Sequence, residues 1–152
     1  VSADVAARDR LLAEGLLADG GVLGSYHRSF AFERVARGVE QYVSAAGAGD
    51  GLRRRLHLAP VQARATLERS GYLGSFPDLI GVVSSFAGTE ADAPRLLAAL
   101  EAGEDWTTQL STTDLALSSA ACHGLYPLLV DESLPADGSR YELQTWCFRH
   151  EP

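Results

Sequence analysis

The sequence predicts an α+β domain built around a mixed or antiparallel sheet. Three observations predict it. Helix-like and strand-like segments alternate irregularly along the chain, without the regular strand–helix repeat of a doubly wound sheet. Residues 30–43 carry the clearest amphipathic signature, with Phe32, Val35, Ala36, Val39, Tyr42 and Val43 recurring at helical spacing. Residues 140–151 alternate with period two, as a half-buried strand does. At 152 residues, 46% hydrophobic and 22% charged, the chain is long and apolar enough to bury one core.

The elements follow in order. Residues 5–18 read as a helix on Leu11, Leu12 and Leu16, ended by Gly20-Gly21. Ser29 is a candidate N-cap for the 30–43 helix, because its hydroxyl can take one of the first unpaired N–H groups. A glycine-rich stretch, 47–51, breaks the chain. Residues 52–59 alternate as a strand stopped by Pro60, and 61–69 read as a short helix. Residues 70–86 read as a loop followed by a strand on Ile80, Val82 and Val83. Asp92 is a candidate cap for a helix through Leu96, Leu97 and Leu100, closed near Gly103. Residues 114–118 read as a strand, 120–130 as a helix perturbed by Pro127, and 135–138 as a turn.

Composition excludes several function classes. The net charge of −7, from 13 basic and 20 acidic residues, leaves no spare cations for non-specific DNA binding. No apolar run approaches the ~18 residues of a membrane span, and residues 1–10 lack a signal-peptide core. Two cysteines without such a signal point to the cytoplasm and to thiols or metal ligands. Lysine is absent, which removes Schiff-base and P-loop chemistry. Methionine is absent too. A chain without Met that stops one step past a strand reads as a piece of a longer protein. A valine start codon or trimming would also account for Val1.

Two sets of residues are candidates for chemistry. Along the last strand Arg149 and Glu151 share a face at i, i+2, about 7 Å apart. A guanidinium offers a donor fork for phosphate, and a carboxylate accepts from an exocyclic amine, so the pair suits a nucleotide. The same pattern also describes an exposed surface pair, and by pattern alone that reading leads. Cys122, in Ala121-Cys122-His123-Gly124-Leu125-Tyr126-Pro127, is either a small buried hydrophobe or a metal ligand. Zinc takes three or four protein ligands, and Cys122, His123 and Cys147 lack close ligand spacing, which favours the first alternative. His27, His57 and His150 sit beside charged residues and read as solvated. The Arg53-Arg54-Arg55 run points to alternating faces and makes a doubtful patch.

Four segments together carry a resemblance. Phe148-Arg149-His150-Glu151-Pro152 is similar to the F-R-x-E opening of motif 2 in class II aminoacyl-tRNA synthetases. The run from Tyr72 to Val83, the Cys122 segment above, and Gly24-Ser25-Tyr26-His27-Arg28-Ser29-Phe30-Ala31-Phe32-Glu33 resemble a narrower group. That group is the amino acid:[carrier protein] ligases, homologues of the atypical, zinc-dependent seryl-tRNA synthetase catalytic core. The order of the four segments makes the resemblance specific, and it covers about residues 11–152.

The resemblance implies a class II synthetase-like antiparallel sheet with flanking helices, residues 1–152 forming the N-terminal part of a single catalytic domain. It implies ATP-dependent activation of a small amino acid as an aminoacyl-adenylate, with transfer to the phosphopantetheine thiol of a carrier protein. Arg149 would contact the α-phosphate, Glu151 would read the adenine amine, and Cys122 would be a zinc ligand, reversing the readings from pattern alone. ATP, Mg²⁺ and Zn²⁺ are the implied cofactors. Pro60 would be the motif 1 proline near a homodimer interface, with the 32–43 helix packed before it. The family's other zinc ligands, a Glu and a second Cys, and its motif 3 arginine lie beyond motif 2, so this chain alone would be incomplete. No tRNA-binding segment is visible in the sequence, and neither DNA nor a membrane is an expected partner. The alternatives are a non-catalytic paralogue or fragment acting as a binding or dimerisation module, and a seryl-type tRNA synthetase.

Overall fold

The structure, a computed structural model, describes residues 3–22, 24–49 and 52–150. Glu151 lies outside them. The chain divides into two compact units, Val1–Leu52 and Arg53–Pro152.

The first unit holds α1 (Ala3–Ala13), β1 (Leu17–Asp19), β2 (Tyr26–Arg28) and α2 (Phe30–Gly47). The first helix is shorter than its 5–18 expectation because Gly15 takes φ +66°, a left-handed conformation that ends a helix. The following residues form an antiparallel hairpin, with Leu17 opposite Arg28 and Asp19 opposite Tyr26. Gly20-Gly21 therefore turn a hairpin rather than stop a helix. The Gly20 N–H donates to Ser25 O at 2.9 Å, and Asp19 Oδ1 accepts from the Gly21 N–H at 2.8 Å. Strands of three residues carry too little alternation to stand out in the sequence. Ser29 caps α2 as expected, its Oγ accepting from the Phe32 N–H at 3.2 Å. Arg28 pairs with Glu33 at 2.7 Å and lies over the Phe32 ring, 5.9 Å from its centroid. The Arg28–Glu33 stretch thus fixes the start of the helix.

The second unit holds β3 (Leu52–His57) from its second residue on, β4 (Val61–Ala63), α3 (Arg64–Arg69), α4 (Tyr72–Ser75), β5 (Val82–Phe86), α5 (Ala93–Glu101), β6 (Leu110–Leu117) and β7 (Arg140–Gln144). An antiparallel sheet runs β4-β6-β5, and β3 pairs with β7. Val61 faces Leu117 and Ala63 faces Leu115, while Phe86 faces Leu110. Gly81 lies close beside this sheet: a Cβ there would sit 2.7 Å from Leu117 Cδ1, so the end of that leucine side chain would have to move. Leu67 and Ser119, each 1% exposed, are the largest fully buried side chains among the described residues.

Several expectations shift here. Residues 61–63 are a strand, and the helix begins only at Arg64. Asp92 does not cap α5; it closes a capping box with Thr89, accepting from the Thr89 N–H at 3.0 Å and Oγ1 at 2.8 Å. The expected 120–130 helix is two single 3-10 turns, Ala121–Gly124 and Tyr126–Leu129. Pro127 has no N–H to continue the ladder, which explains the break. The last strand ends at Gln144, so the period-two facing does not extend to Arg149. Two arginines of the 53–55 run are engaged within the chain, Arg54 with Glu132 at 3.6 Å and Arg55 with Glu142 at 2.7 Å.

Candidate active site

Residues 118–123, leaving the end of β6, organise the candidate site. The Leu117 N–H donates to Gly81 O and the Ser118 N–H to Pro60 O, both at 2.9 Å. Ser118 O accepts from the Phe148 N–H at 2.7 Å. Three separate stretches of chain therefore meet at the end of one strand. Backbone bonds are local in type but long-range in partner here, and no sequence period announces them.

Arg149 is exposed, and its Nε donates to Ser119 O at 2.9 Å. The next residue, His150, is also exposed, and its N–H reaches Leu79 O at 3.4 Å. The chain beyond β7 thus lies along the ends of β6 and β5. The structure brings Arg149 to the same short segment as Cys122, three residues after Ser119. Glu151, the expected base reader, lies outside the described residues.

Cys122 is exposed in the first 3-10 turn, with a free thiol, and so is Cys147. A hydrogen bond to Cys122 and its charge hold the Tyr126 phenol above its usual pKa. His123 is 6% exposed, unlike His27, His57 and His150, which are all exposed as expected. Its ring packs edge-on to Tyr72 at 4.9 Å and against Tyr126 at 6.0 Å. Burial holds the imidazole below its ordinary pKa, favouring the neutral form. A Cβ at the next residue, Gly124, would lie 3.1 Å from Leu58 Cδ1, so that side chain would have to give by a few tenths of an ångström. Sequence reading missed the burial of His123 and the role of the Ser119 carbonyl. The aromatic residues at 72 and 126 were the available signal for His123; a backbone carbonyl leaves none.

The donor set present does not suit zinc. Among the described residues no group of three or more His, Cys, Asp or Glu side chains converges to hold a metal ion. Cys122 is a single donor, and although the buried His123 Nδ1 has no hydrogen-bond partner, no further His, Cys, Asp or Glu among the described residues converges with the two. A tetrahedral protein site takes three or four ligands. The described residues therefore do not make a zinc site, and no chemical step is derived through one. The expected result for the purified 152-residue chain is zinc well below one equivalent by metal analysis. Tight stoichiometric zinc would show that further donors complete the site and would overturn the assignment of Cys122 as a lone ligand.

The chain resembles amino acid–[acyl-carrier-protein] ligases. It is 39% identical over 143 residues to "Amino acid--[acyl-carrier-protein] ligase 1" of Bradyrhizobium diazoefficiens, covering 93% of this chain and 43% of that protein. Ligase 2 of the same organism is 38% identical over 148 residues, covering 93% of this chain and 42% of its own length. The chain thus spans less than half the length of these relatives. The fold matches a chain in the crystal structure of A. aeolicus tRNASec in complex with M. kandleri SerRS, a seryl-tRNA synthetase. The TM-score is 0.78 at 15% identity, over 95% of this chain and 29% of that one. The α+β, synthetase-like fold expected from the sequence is therefore present. No protein-family model matches the chain.

Proposed function

We propose that this chain is the N-terminal part of a single catalytic domain that activates a small amino acid and passes it to a carrier protein. The observation that carries the reading is the 39% identity to a named ligase along 93% of the chain. In this reading the amino acid carboxylate attacks the α-phosphorus of ATP, pyrophosphate leaves, and an aminoacyl-adenylate forms. The phosphopantetheine thiol of the carrier protein then displaces AMP and forms a thioester. Arg149 stabilises the charge that grows on the α-phosphate, a task suited to a guanidinium already held in place. Glu151 reads the adenine amine, Mg²⁺ accompanies the nucleotide, and Cys122 is one ligand of a zinc site completed by other residues. A cytoplasmic location is part of the same proposal.

The test is amino-acid-dependent ATP–pyrophosphate exchange by the full-length protein, followed by transfer of labelled amino acid to a phosphopantetheine-bearing carrier protein. Exchange with carrier loading supports the reading. Exchange followed by loading of tRNA alone identifies a seryl-type synthetase instead, and no exchange with any amino acid identifies a binding module.

The reading includes a homodimer through α2. Val35, Val39, Tyr42 and Val43 form an apolar stripe on that helix, all exposed, with Tyr42 77% exposed. An uncovered stripe of this kind is a signature of an interface. The expected result in analytical ultracentrifugation is a dimer that Val39→Asp with Tyr42→Asp shifts toward monomer. A monodisperse wild-type monomer would refute it.

A further inference from the structure

We propose that the cavity between α3 and residues 126–131 binds a short zwitterionic peptide, its carboxylate on Arg69 and its ammonium on Asp131. The proposal does not rest on the amino-acid-activating reading. The cavity measures about 610 Å³, in the range of pockets that hold drug-sized ligands. Both of its walls belong to the second unit. Of the residues discussed for the candidate active site, Tyr126 alone borders it.

Both walls are anchored. Thr66, Arg69 and Ser70 stand at i, i+3 and i+4 on one face of α3, with Ala63 and Ala65 beside them. Leu67 turns away from that face, 1% exposed, and ties the helix to the core. Ser70 Oγ donates to Leu67 O at 2.8 Å and accepts from the Tyr72 N–H at 3.3 Å, which fixes the helix end. The facing wall is formed by Tyr126, Pro127, Val130 and Asp131. It hangs from buried Leu125, whose carbonyl accepts from the Leu128 N–H at 2.9 Å. Pro127 fixes its own φ, which stiffens the turn. The small side chains at 63 and 65 leave the space between the walls open.

The charges select the ligand. Arg64 closes on Glu68 at 3.1 Å and on Asp114 at 3.5 Å, and Glu132 closes on Arg54 at 3.6 Å. Charges adjoining the cavity are thus paired within the chain. Arg69 and Asp131, which line it, have no ion pair among the described residues, either with each other or with another group. Both are exposed. Asp131 would repel a simple anion, and Arg69 a simple cation. A ligand charged oppositely at its two ends satisfies both, through charge-assisted hydrogen bonds. Thr66 Oγ1 makes no hydrogen bond among the described residues and can give or take one from a peptide amide. Ala63, Ala65, Pro127 and Val130 offer apolar surface to small side chains. The volume and this lining favour a di- or tripeptide over a single amino acid.

Titration of the isotope-labelled 152-residue chain with the dipeptide Ala-Val, followed by NMR, tests this. Saturable shifts are expected at the amides of Thr66, Arg69, Ser70, Val130 and Asp131. N-acetyl-Ala-Val lacks the ammonium and Ala-Val-amide lacks the carboxylate; each is expected to bind about ten-fold more weakly than Ala-Val. Free valine is expected to bind at least about ten-fold more weakly too. Arg69→Gln is expected to bind Ala-Val and its amide equally, and Asp131→Asn to bind Ala-Val and its acetyl form equally, because each variant removes the partner of the missing charge. Both substitutions are at exposed positions, and unchanged amide spectra elsewhere confirm that the fold is kept. No saturable shift at these amides, capped peptides that bind as well as Ala-Val, or discrimination that survives in the two variants would overturn the proposal. Free valine binding as tightly as the dipeptide would overturn the assignment of a peptide ligand.

Discussion

Arg149→Ala in the full-length protein is expected to lower amino-acid-dependent ATP–pyrophosphate exchange by about 10²–10³-fold, the loss typical of one preorganised donor, ~2.7–4 kcal/mol. The guanidinium is held at 2.9 Å by the Ser119 carbonyl, so removing it deletes a donor that is already oriented. Its interaction strengthens as charge accumulates on the α-phosphate, and such interactions act on kcat more than on KM. Two further variants separate the proposed roles. Glu151→Gln is expected mainly to raise the KM for ATP and relax base choice, because its proposed contact is recognition. Cys122→Ser is expected to spare ATP binding and abolish amino-acid activation. Equal loss in all three variants with normal folding, or loss in none, would show the roles to be wrongly assigned.

The largest expected effect on stability belongs to Leu67→Ala, a loss of about 2–5 kcal/mol, typical of a leucine truncated inside a packed core. Leu67 is 1% exposed on α3, which packs on β6 and α4. Ser70 Oγ closes the helix by donating to Leu67 O at 2.8 Å, so the backbone cannot readily collapse into the space. Among the described residues, the other buried apolar side chains of this unit are small or less enclosed: Ala99, Ala116 and Leu125. Against a total stability of about 5–15 kcal/mol for an ordinary domain, this loss is large. Denaturant melts of the 152-residue chain measure it. Leu67→Met, which conserves volume, is expected to cost less than about 1.5 kcal/mol. Equal midpoints for Leu67→Ala and wild type would show that this leucine does not hold the unit together.

Legibility varied along the chain for identifiable reasons. The α2 helix and its Ser29 cap were readable because residues 30–43 repeat one period and the cap acts on a neighbour three residues away, although the helix runs on to Gly47, past the expected end. The β1–β2 hairpin was not, since two three-residue strands carry no measurable period. The 120–130 segment reads as a helix until the Gly124–Leu58 contact and Pro127 are considered together. Asp92 was correctly seen as a capping residue and assigned to the wrong turn, because Thr89 competes for the same carboxylate. Arg149 was singled out by type and motif, but the strand period used to orient it stops at Gln144.

By itself, the sequence determined the class of fold, the amphipathic helix with its cap, the solvated histidines, and the residue types available for chemistry. These are properties of short windows, set by side-chain periodicity and by groups a few bonds apart. Only the tertiary structure decided that Arg149 leans on Ser119, 30 residues away, and that His123 is buried between Tyr72 and Tyr126. It also decided that Ser118 receives hydrogen bonds from one stretch and gives them to another. The physical reason is that a backbone carbonyl is chemically the same at every position. Which donor it meets depends on where the sheet places it, and that is fixed by the packing of the whole unit.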